Sequence, residues 1–125
     1  MRAKDILSLP NSNQIFIDFV RFAAHELDLK SIPEIKLLTT PISNSPYNSF
    51  AAYQPGQEVV ILYATHRHIL DVLRSLCHEI VHYKQDLAGQ LNNMSGKTGS
   101  NEENEANAVA GQILRKYGKM HPELF

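Results

Sequence analysis

The sequence predicts an α+β fold, in which helices pack on a small sheet without alternating with its strands. Apolar residues recur at intervals of three and four in three separate stretches, a pattern typical of amphipathic helices. Between the first and second of these stretches lie short apolar runs bounded by proline, glycine, serine and asparagine, which indicate strands. We therefore expect an N-terminal helix, a sheet of about three strands, and then two further helices.

Length and composition indicate one globular domain that spans residues 1–125. Hydrophobic residues make up 43% of the chain and charged residues 20%, as in ordinary globular proteins. The net charge of −1 provides no basic surface for nucleic acid, and no apolar stretch is long enough to span a membrane. The lone Cys77 excludes an internal disulfide and no signal peptide is evident, so we expect a cytoplasmic location.

The N-terminal helix is expected to begin near Asn11 or Ser12, either of which can cap it. Its buried face carries six apolar residues at helical spacing: Ile15, Phe16, Phe19, Val20, Ala23 and Leu27. After Pro33, residues 34–39 predict a strand. Two further strand-like runs, 49–53 and 58–63, flank a turn sequence at 54–57 and so predict a β-hairpin.

The next helix is expected to run from Thr65, a candidate N-cap, to Gly89, a candidate C-cap. Neither proline nor glycine interrupts it. Its apolar stripe comprises Ile69, Val72, Leu73, Leu76, Ile80, Tyr83 and Leu87. His78 and His82 flank this stripe, so we expect both imidazoles at its edge, whereas Cys77 is expected to be a small buried residue.

The segment His78-Glu79-Ile80-Val81-His82 places two histidines on one face of this helix. Two imidazoles so placed can hold one Zn²⁺, and the carboxylate of Glu79 beside them can take a proton from water. The alternative is a pair of ordinary histidines on an amphipathic helix that binds no metal.

A third metal ligand is expected from the first turn of the last helix. The buried face predicted for that helix comprises Ala106, Val109, Ala110, Ile113, Leu114 and Tyr117. One turn before it lie Glu102 and Glu103, with Glu105 rotated away. Either Glu102 or Glu103 fits, and we favour Glu103 because Asn107, four residues on, can orient a metal ligand. Without a metal, these acids would only complement the helix dipole.

The His78-Glu79-x-x-His82 motif is followed, after 20 intervening residues, by Glu103-x-Glu105-Ala106-Asn107. This combination resembles the gluzincin branch of zinc metallopeptidases over about residues 47–117. It is most similar to the minimal gluzincins and to the peptidase domain of the IrrE/ImmA regulators. It is also similar to small phage and bacterial proteins in which a glutamine stands three residues after the second histidine, as Gln85 does here. The family usually has aspartate where this chain has Asn107.

The resemblance implies a zincin-like fold in which His78, His82 and Glu103 hold Zn²⁺ and Glu79 is the general base of peptide hydrolysis. It also implies that an extended substrate pairs with Ala51–Tyr53 or with 59–63, although a plain scaffold hairpin is the alternative. Candidate donors that stabilise the transition state are Tyr53, His66 and Tyr117. The expected partner is a peptide or protein substrate, bound by a monomer or within a larger assembly.

Two other functions stay open. One is a zinc-bound protein that does not cleave peptides, either because it is latent or because it is a structural part of an assembly such as a phage particle. A phage-encoded protein would be located in the host cytoplasm or in the virion. In the latent form, His121 of the C-terminal tail would fill the open metal position. The other is a metal-free fold in which His78 and His82 are incidental. Metzincins are excluded, because Gln85 and Ala88 stand where their glycine and third histidine would be.

Overall fold

A computed structural model of the chain describes residues 12–38, 51–64, 67–90 and 100–124. These residues form three α-helices, a three-stranded mixed sheet and a short 3₁₀ helix. In chain order the elements are α1 (Ser12–Glu26), β1 (Glu34–Leu38), β2 (Ala51–Gln54), β3 (Val59–Tyr63), α2 (Ile69–Leu87), α3 (Asn101–Met120) and the 3₁₀ helix Pro122–Leu124. The predicted α+β class and the order of elements are confirmed.

The sheet has the strand order β1-β3-β2, so β3 lies in the centre. β1 runs parallel to β3, with Glu34 opposite Val59, and β2 runs antiparallel to it, with Gln54 opposite Val59. The central position explains the composition of β3, Val-Val-Ile-Leu-Tyr, because a strand with neighbours on both sides is covered more fully than an edge strand. Accordingly β3 carries three buried residues, whereas β1 and β2 carry none.

The predicted β-hairpin is confirmed, with its strands shifted slightly from the predicted bounds. Gln54 belongs to β2, and Glu58 belongs to the turn that joins β2 to β3. Gly56 and Glu58 both adopt positive φ angles, of 79° and 56°, which lets the chain reverse over four residues. Residues 49 and 50, where the first strand was predicted to begin, lie outside the described residues.

A single buried cluster joins residues from all three helices and from β3. The six residues predicted for the inner face of α1 are all buried in it. Across the cluster, the rings of Phe19 and Tyr117 meet edge to face with their centroids 5.0 Å apart. α1 and α3 therefore pack against each other, while α2 packs against both the sheet and α3.

Helix α2 begins later than predicted. Its N-cap is His68, whose Nδ1 accepts a hydrogen bond from the backbone N–H of Leu70 at 3.0 Å. Thr65, the predicted cap, lies outside the described residues. At the other end the helix stops at Leu87, and Gly89 follows with a φ of 72° that glycine adopts without strain. Leu87 is 49% exposed, so the predicted apolar stripe ends one turn earlier, at Tyr83.

None of the described helices combines the length and the apolar character needed to cross a membrane.

Candidate metal centre

Three side chains from two helices meet in the space between α2 and α3. The Nε2 atom of His78 lies 2.8 Å from Oε1 of Glu103, and the Nε2 atom of His82 lies 3.0 Å from Oε2 of the same carboxylate. The two Nε2 atoms are 3.2 Å apart. Of the two acids that the sequence left open, the structure therefore brings Glu103 to the imidazoles, while Glu102 contributes a backbone carbonyl nearby.

The four-residue spacing on α2 sets the two imidazoles side by side, with ring centroids 4.8 Å apart and planes at 83°. The neighbouring residues Leu76, Cys77 and Ile80 are fully buried and fix the rotation of the helix. Cys77 takes no part in the cluster, because its side chain packs into the core and burial raises the pKa of its thiol to about 12. The prediction that Cys77 is a small core residue is confirmed.

Glu103 occupies the third position of α3. Its backbone N–H donates to the side-chain oxygen of Ser100, the N-cap, at 3.1 Å. A glutamate three residues after a serine cap is the sequence pattern of a capping box, in which the carboxylate returns to the backbone of the cap. Here both carboxylate oxygens instead contact imidazoles.

Without a metal, an N–H at Nε2 of each imidazole can donate to its own oxygen of Glu103, at 2.8 and 3.0 Å. The two Nε2 atoms, 3.2 Å apart, then form no hydrogen bond with each other. When both Nε2 atoms are deprotonated, the two nitrogens and the carboxylate direct lone pairs into the same space, where one cation would satisfy them. The donor set therefore fits a metal ion.

The dimensions of the cluster also suit a small divalent ion. Bonds of about 2.0–2.1 Å at tetrahedral angles place two ligand atoms about 3.3 Å apart. The three observed separations, 2.8, 3.0 and 3.2 Å, are only slightly shorter. Burial lowers the pKa of His78, which favours the neutral ring that metal binding requires.

Glu79 lies beside the cluster with an unsatisfied carboxylate. It is 8% exposed, and its Oε2 atom has no hydrogen-bond partner among the residues that the structure describes. One potential ligand atom each from His78, Glu79 and His82 lies within 4.8 Å of the others. Burial raises the pKa of Glu79 to about 7, with the charge of His82 opposing the shift and that of Glu103 adding to it. Such a carboxyl group can accept and release a proton near neutral pH.

Each imidazole has a further amide partner. Asn107 is a hydrogen-bonding neighbour of His78, and that contact raises the pKa of His78. Its role in orienting the ring stays a prediction. Nδ1 of His82 lies 2.7 Å from Oε1 of Gln85. Gln85 lies three residues after His82 and therefore on the same helix face, and this spacing is the signal in the sequence that predicts their contact. Glu105 was expected to point away, yet its carboxylate accepts a hydrogen bond from Gln85 at 2.8 Å.

Of the three candidate transition-state donors, the structure describes Tyr53 and Tyr117. The hydroxyl of Tyr53 donates to Oδ2 of Asp86 at 2.6 Å, and burial together with that carboxylate raises the pKa of Tyr53 far above its ordinary value. Tyr117 lies about 21 Å along the axis of α3 from Glu103 and packs against α1. His66 lies outside the described residues.

The C-terminal tail does not reach the cluster in the part that the structure describes. His121 caps the far end of α3, about 27 Å along its axis from Glu103, and its ring lies 4.4 Å from that of Tyr117. The predicted self-inhibition through His121 is therefore wrong for this arrangement, because the length of α3 separates the tail from the metal ligands.

Of the two segments expected to pair with a substrate, only β2 is an edge strand among the described residues. β3 has β1 on one side and β2 on the other, so its backbone groups are already engaged. β2, with Ala51 at its first position, is paired on one side only within the described residues.

Comparison of the chain with protein-family models, with curated proteins and with solved structures gave no match. The geometry of the described residues shows a cluster of histidine and glutamate side chains that can hold a metal ion, within a small α+β fold.

Proposed function

We propose that this chain is a zinc-dependent endopeptidase, in which His78, His82 and Glu103 hold Zn²⁺ and Glu79 is the general base. The observation that carries the proposal is the convergence of two imidazole nitrogens and the Glu103 carboxylate beside the buried Glu79, one oxygen of which has no partner among the described residues. The resemblance of the two motifs to gluzincins supports the same assignment.

The ligand set favours zinc among the common metals. Two imidazoles and one carboxylate form a frequent ligand set of catalytic zinc sites, whereas magnesium and calcium prefer sites built from oxygen atoms alone. When bound, Zn²⁺ supplies a Lewis acid that polarises the scissile carbonyl and lowers the pKa of water toward about 7.

Glu79 performs the proton transfers of the proposed reaction. Its carboxylate takes a proton from the attacking water and delivers that proton to the nitrogen of the leaving amine. Both steps require a group that is basic before the attack and acidic after it. In the metal-free chain, burial raises the pKa of Glu79 to about 7, so this carboxyl group loses its proton less readily than an exposed one.

Solvent access to the cluster favours a catalytic site over a structural one. The side chains of His78, His82 and Glu103 remain 17%, 11% and 22% exposed. Structural zinc sites are closed by four protein ligands, whereas catalytic sites keep one position open to water and substrate.

The edge of β2 that carries no partner strand within the described part of the chain is the proposed binding site for an extended peptide. A peptide that adds a strand there gains main-chain hydrogen bonds that do not depend on its side chains. The ring of Tyr53 on this strand lies 6.0 Å from that of Tyr83, the residue after His82. The substrate strand would thus be held at a fixed distance from the metal ligands.

A peptide-library assay on the purified, zinc-loaded chain tests the proposal. We expect internal cleavage by the wild type and a loss of at least about a hundredfold in Glu79→Gln, which keeps the shape of the side chain but removes the base. Zinc content should be unchanged, since Glu79 is not one of the proposed ligands. Glu102→Gln is the matched control and should cleave like the wild type.

Equal cleavage by Glu79→Gln would remove Glu79 from the mechanism. Zinc binding by a wild-type chain that cleaves no peptide would contradict the peptidase and leave a zinc-binding protein.

A further inference from the structure

Gln85 connects the two helices that carry the proposed metal ligands. It is 1% exposed and uses both ends of its side-chain amide. Its Oε1 atom lies 2.7 Å from Nδ1 of His82, while its Nε2 atom lies 2.9 Å from the carbonyl oxygen of Glu102 and 2.8 Å from Oε1 of Glu105. Gln85 on α2 is therefore bound to the first turns of α3, directly beside Glu103.

These contacts determine which way the amide points. A carbonyl oxygen and a carboxylate oxygen surround one end of it, and only an NH₂ group can donate to both. The amide oxygen must then face His82. Only an N–H can meet that oxygen, so the neutral ring of His82 carries its proton on Nδ1 and leaves the lone pair of Nε2 directed at His78 and Glu103.

We propose that Gln85 is a positioning residue of the metal centre, which selects the metal-binding tautomer of His82 and fixes that ring to the helix that supplies Glu103. The inference rests on the proposed metal site, although Gln85 itself touches neither metal nor substrate. Because the bond to His82 is shielded from water, it constrains the ring more strongly than the bond between His78 and the exposed Asn107.

Position 85 requires a side-chain amide. An apolar side chain would leave Nδ1 of His82 buried without a partner, so the ring would place its proton on Nε2, where it blocks the metal. An amide provides an acceptor for His82 and donors for α3 without adding a charge next to Glu105.

The first measurement is the affinity for Zn²⁺, by competition with a chromophoric chelator. Gln85→Met has a similar length and no amide, and we expect it to bind zinc about 10- to 100-fold more weakly than the wild type, as is typical when an outer partner of a histidine ligand is lost. Asn107→Ala is the matched control and should lose less affinity. Thermal unfolding with excess chelator checks that each variant is folded.

The second measurement reads the tautomer directly. Nitrogen-15 NMR of the metal-free protein, at a pH where the ring is neutral, should show the His82 proton on Nδ1 in the wild type and on Nε2 in Gln85→Met. A residue that only packed the core would not move this signal.

An exchange variant separates the role of Gln85 from its packing. In Gln85→Glu/Glu105→Gln the acid at 85 still accepts from His82 and the amide at 105 donates to that acid, while the carbonyl oxygen of Glu102 loses its donor. We expect this variant to keep the Nδ1–H tautomer of His82 and to bind zinc more weakly than the wild type, because one contact to α3 is lost. If Gln85→Met does not fold, this variant decides: a folded exchange protein with the His82 proton on Nε2 would overturn the proposal.

The outcomes distinguish this inference from the proposed function. A wild-type chain that binds no zinc would end the zinc peptidase. His82 protonated on Nε2 in the metal-free wild type would instead overturn the role of Gln85, as would a folded Gln85→Met that keeps both the wild-type tautomer and the wild-type affinity.

Discussion

Tyr53 lies on the proposed substrate-binding strand, and its hydroxyl group already forms a hydrogen bond. The hydroxyl donates to Asp86, which lies one turn beyond His82 on α2. A hydroxyl bound in this way anchors the strand to the helix, and it is not free to donate to a reacting carbonyl. We therefore interpret Tyr53 as a structural residue that keeps β2 in position.

The substitution Tyr53→Phe tests this interpretation. We expect a loss of about 1 kcal/mol in the free energy of unfolding, the usual contribution of one hydrogen bond, with cleavage retained. Urea unfolding and the peptide assay provide the two readouts. Lost cleavage at unchanged stability would show instead that the hydroxyl acts in the reaction.

The comparison of Glu103 with Gln85 shows what could be predicted about single residues. Glu103 was favoured from the spacing to Asn107, and because neighbouring helical residues point about 100° apart only one of the two adjacent acids can face the imidazoles. The contacts of Gln85 with α3 could not be predicted, because they depend on how closely α3 approaches α2. No local pattern in the sequence contains that distance.

At the scale of elements, the hairpin and α2 are held together through one carboxylate. Oδ2 of Asp86 accepts from the hydroxyl of Tyr53 at 2.6 Å and from the backbone N–H of Gly56 at 2.9 Å. The strand and its turn are thus fixed to the same helix that carries His78 and His82. This contact joins the proposed substrate-binding edge of β2 to the proposed metal site.

Asp86→Ala should cost more than Tyr53→Phe, because it leaves two donors without their acceptor. We expect about 2–3 kcal/mol of lost unfolding free energy, measured by urea unfolding. The exposed Lys84, two residues away, provides the control, and Lys84→Ala should change stability by less than about 0.5 kcal/mol. A cost for Asp86→Ala no greater than that of the control would show that the hairpin is held by packing alone.

Only part of the sheet could be predicted from the sequence. The hairpin was predictable because its signal, two apolar runs around a turn, is local. The parallel pairing of β1 with β3 joins segments more than twenty residues apart, and neither strand carries a feature that specifies its neighbour. The central place of β3, which leaves β2 as the edge near α2, therefore came only from the structure.

For the whole molecule, metal binding is expected to add stability, because the ligands come from two helices that separate on unfolding. Zinc at about one hundred times its dissociation constant contributes about 2.7 kcal/mol. For a chain of this length that corresponds to a rise in melting temperature of about 10 °C. Differential scanning fluorimetry with zinc and then with chelator measures the shift, and an equal rise in His78→Ala would place the binding site elsewhere.

The central claim is that Glu103 joins His78 and His82 in holding one zinc ion, and the metal content of the purified chain tests it most directly. Wild type, Glu103→Ala and Glu102→Ala are loaded with zinc, dialysed against metal-free buffer and measured by inductively coupled plasma mass spectrometry. We predict about one zinc per chain for the wild type and for Glu102→Ala, and almost none for Glu103→Ala. A wild type without zinc, or a Glu103→Ala variant that retains it fully, would contradict the account.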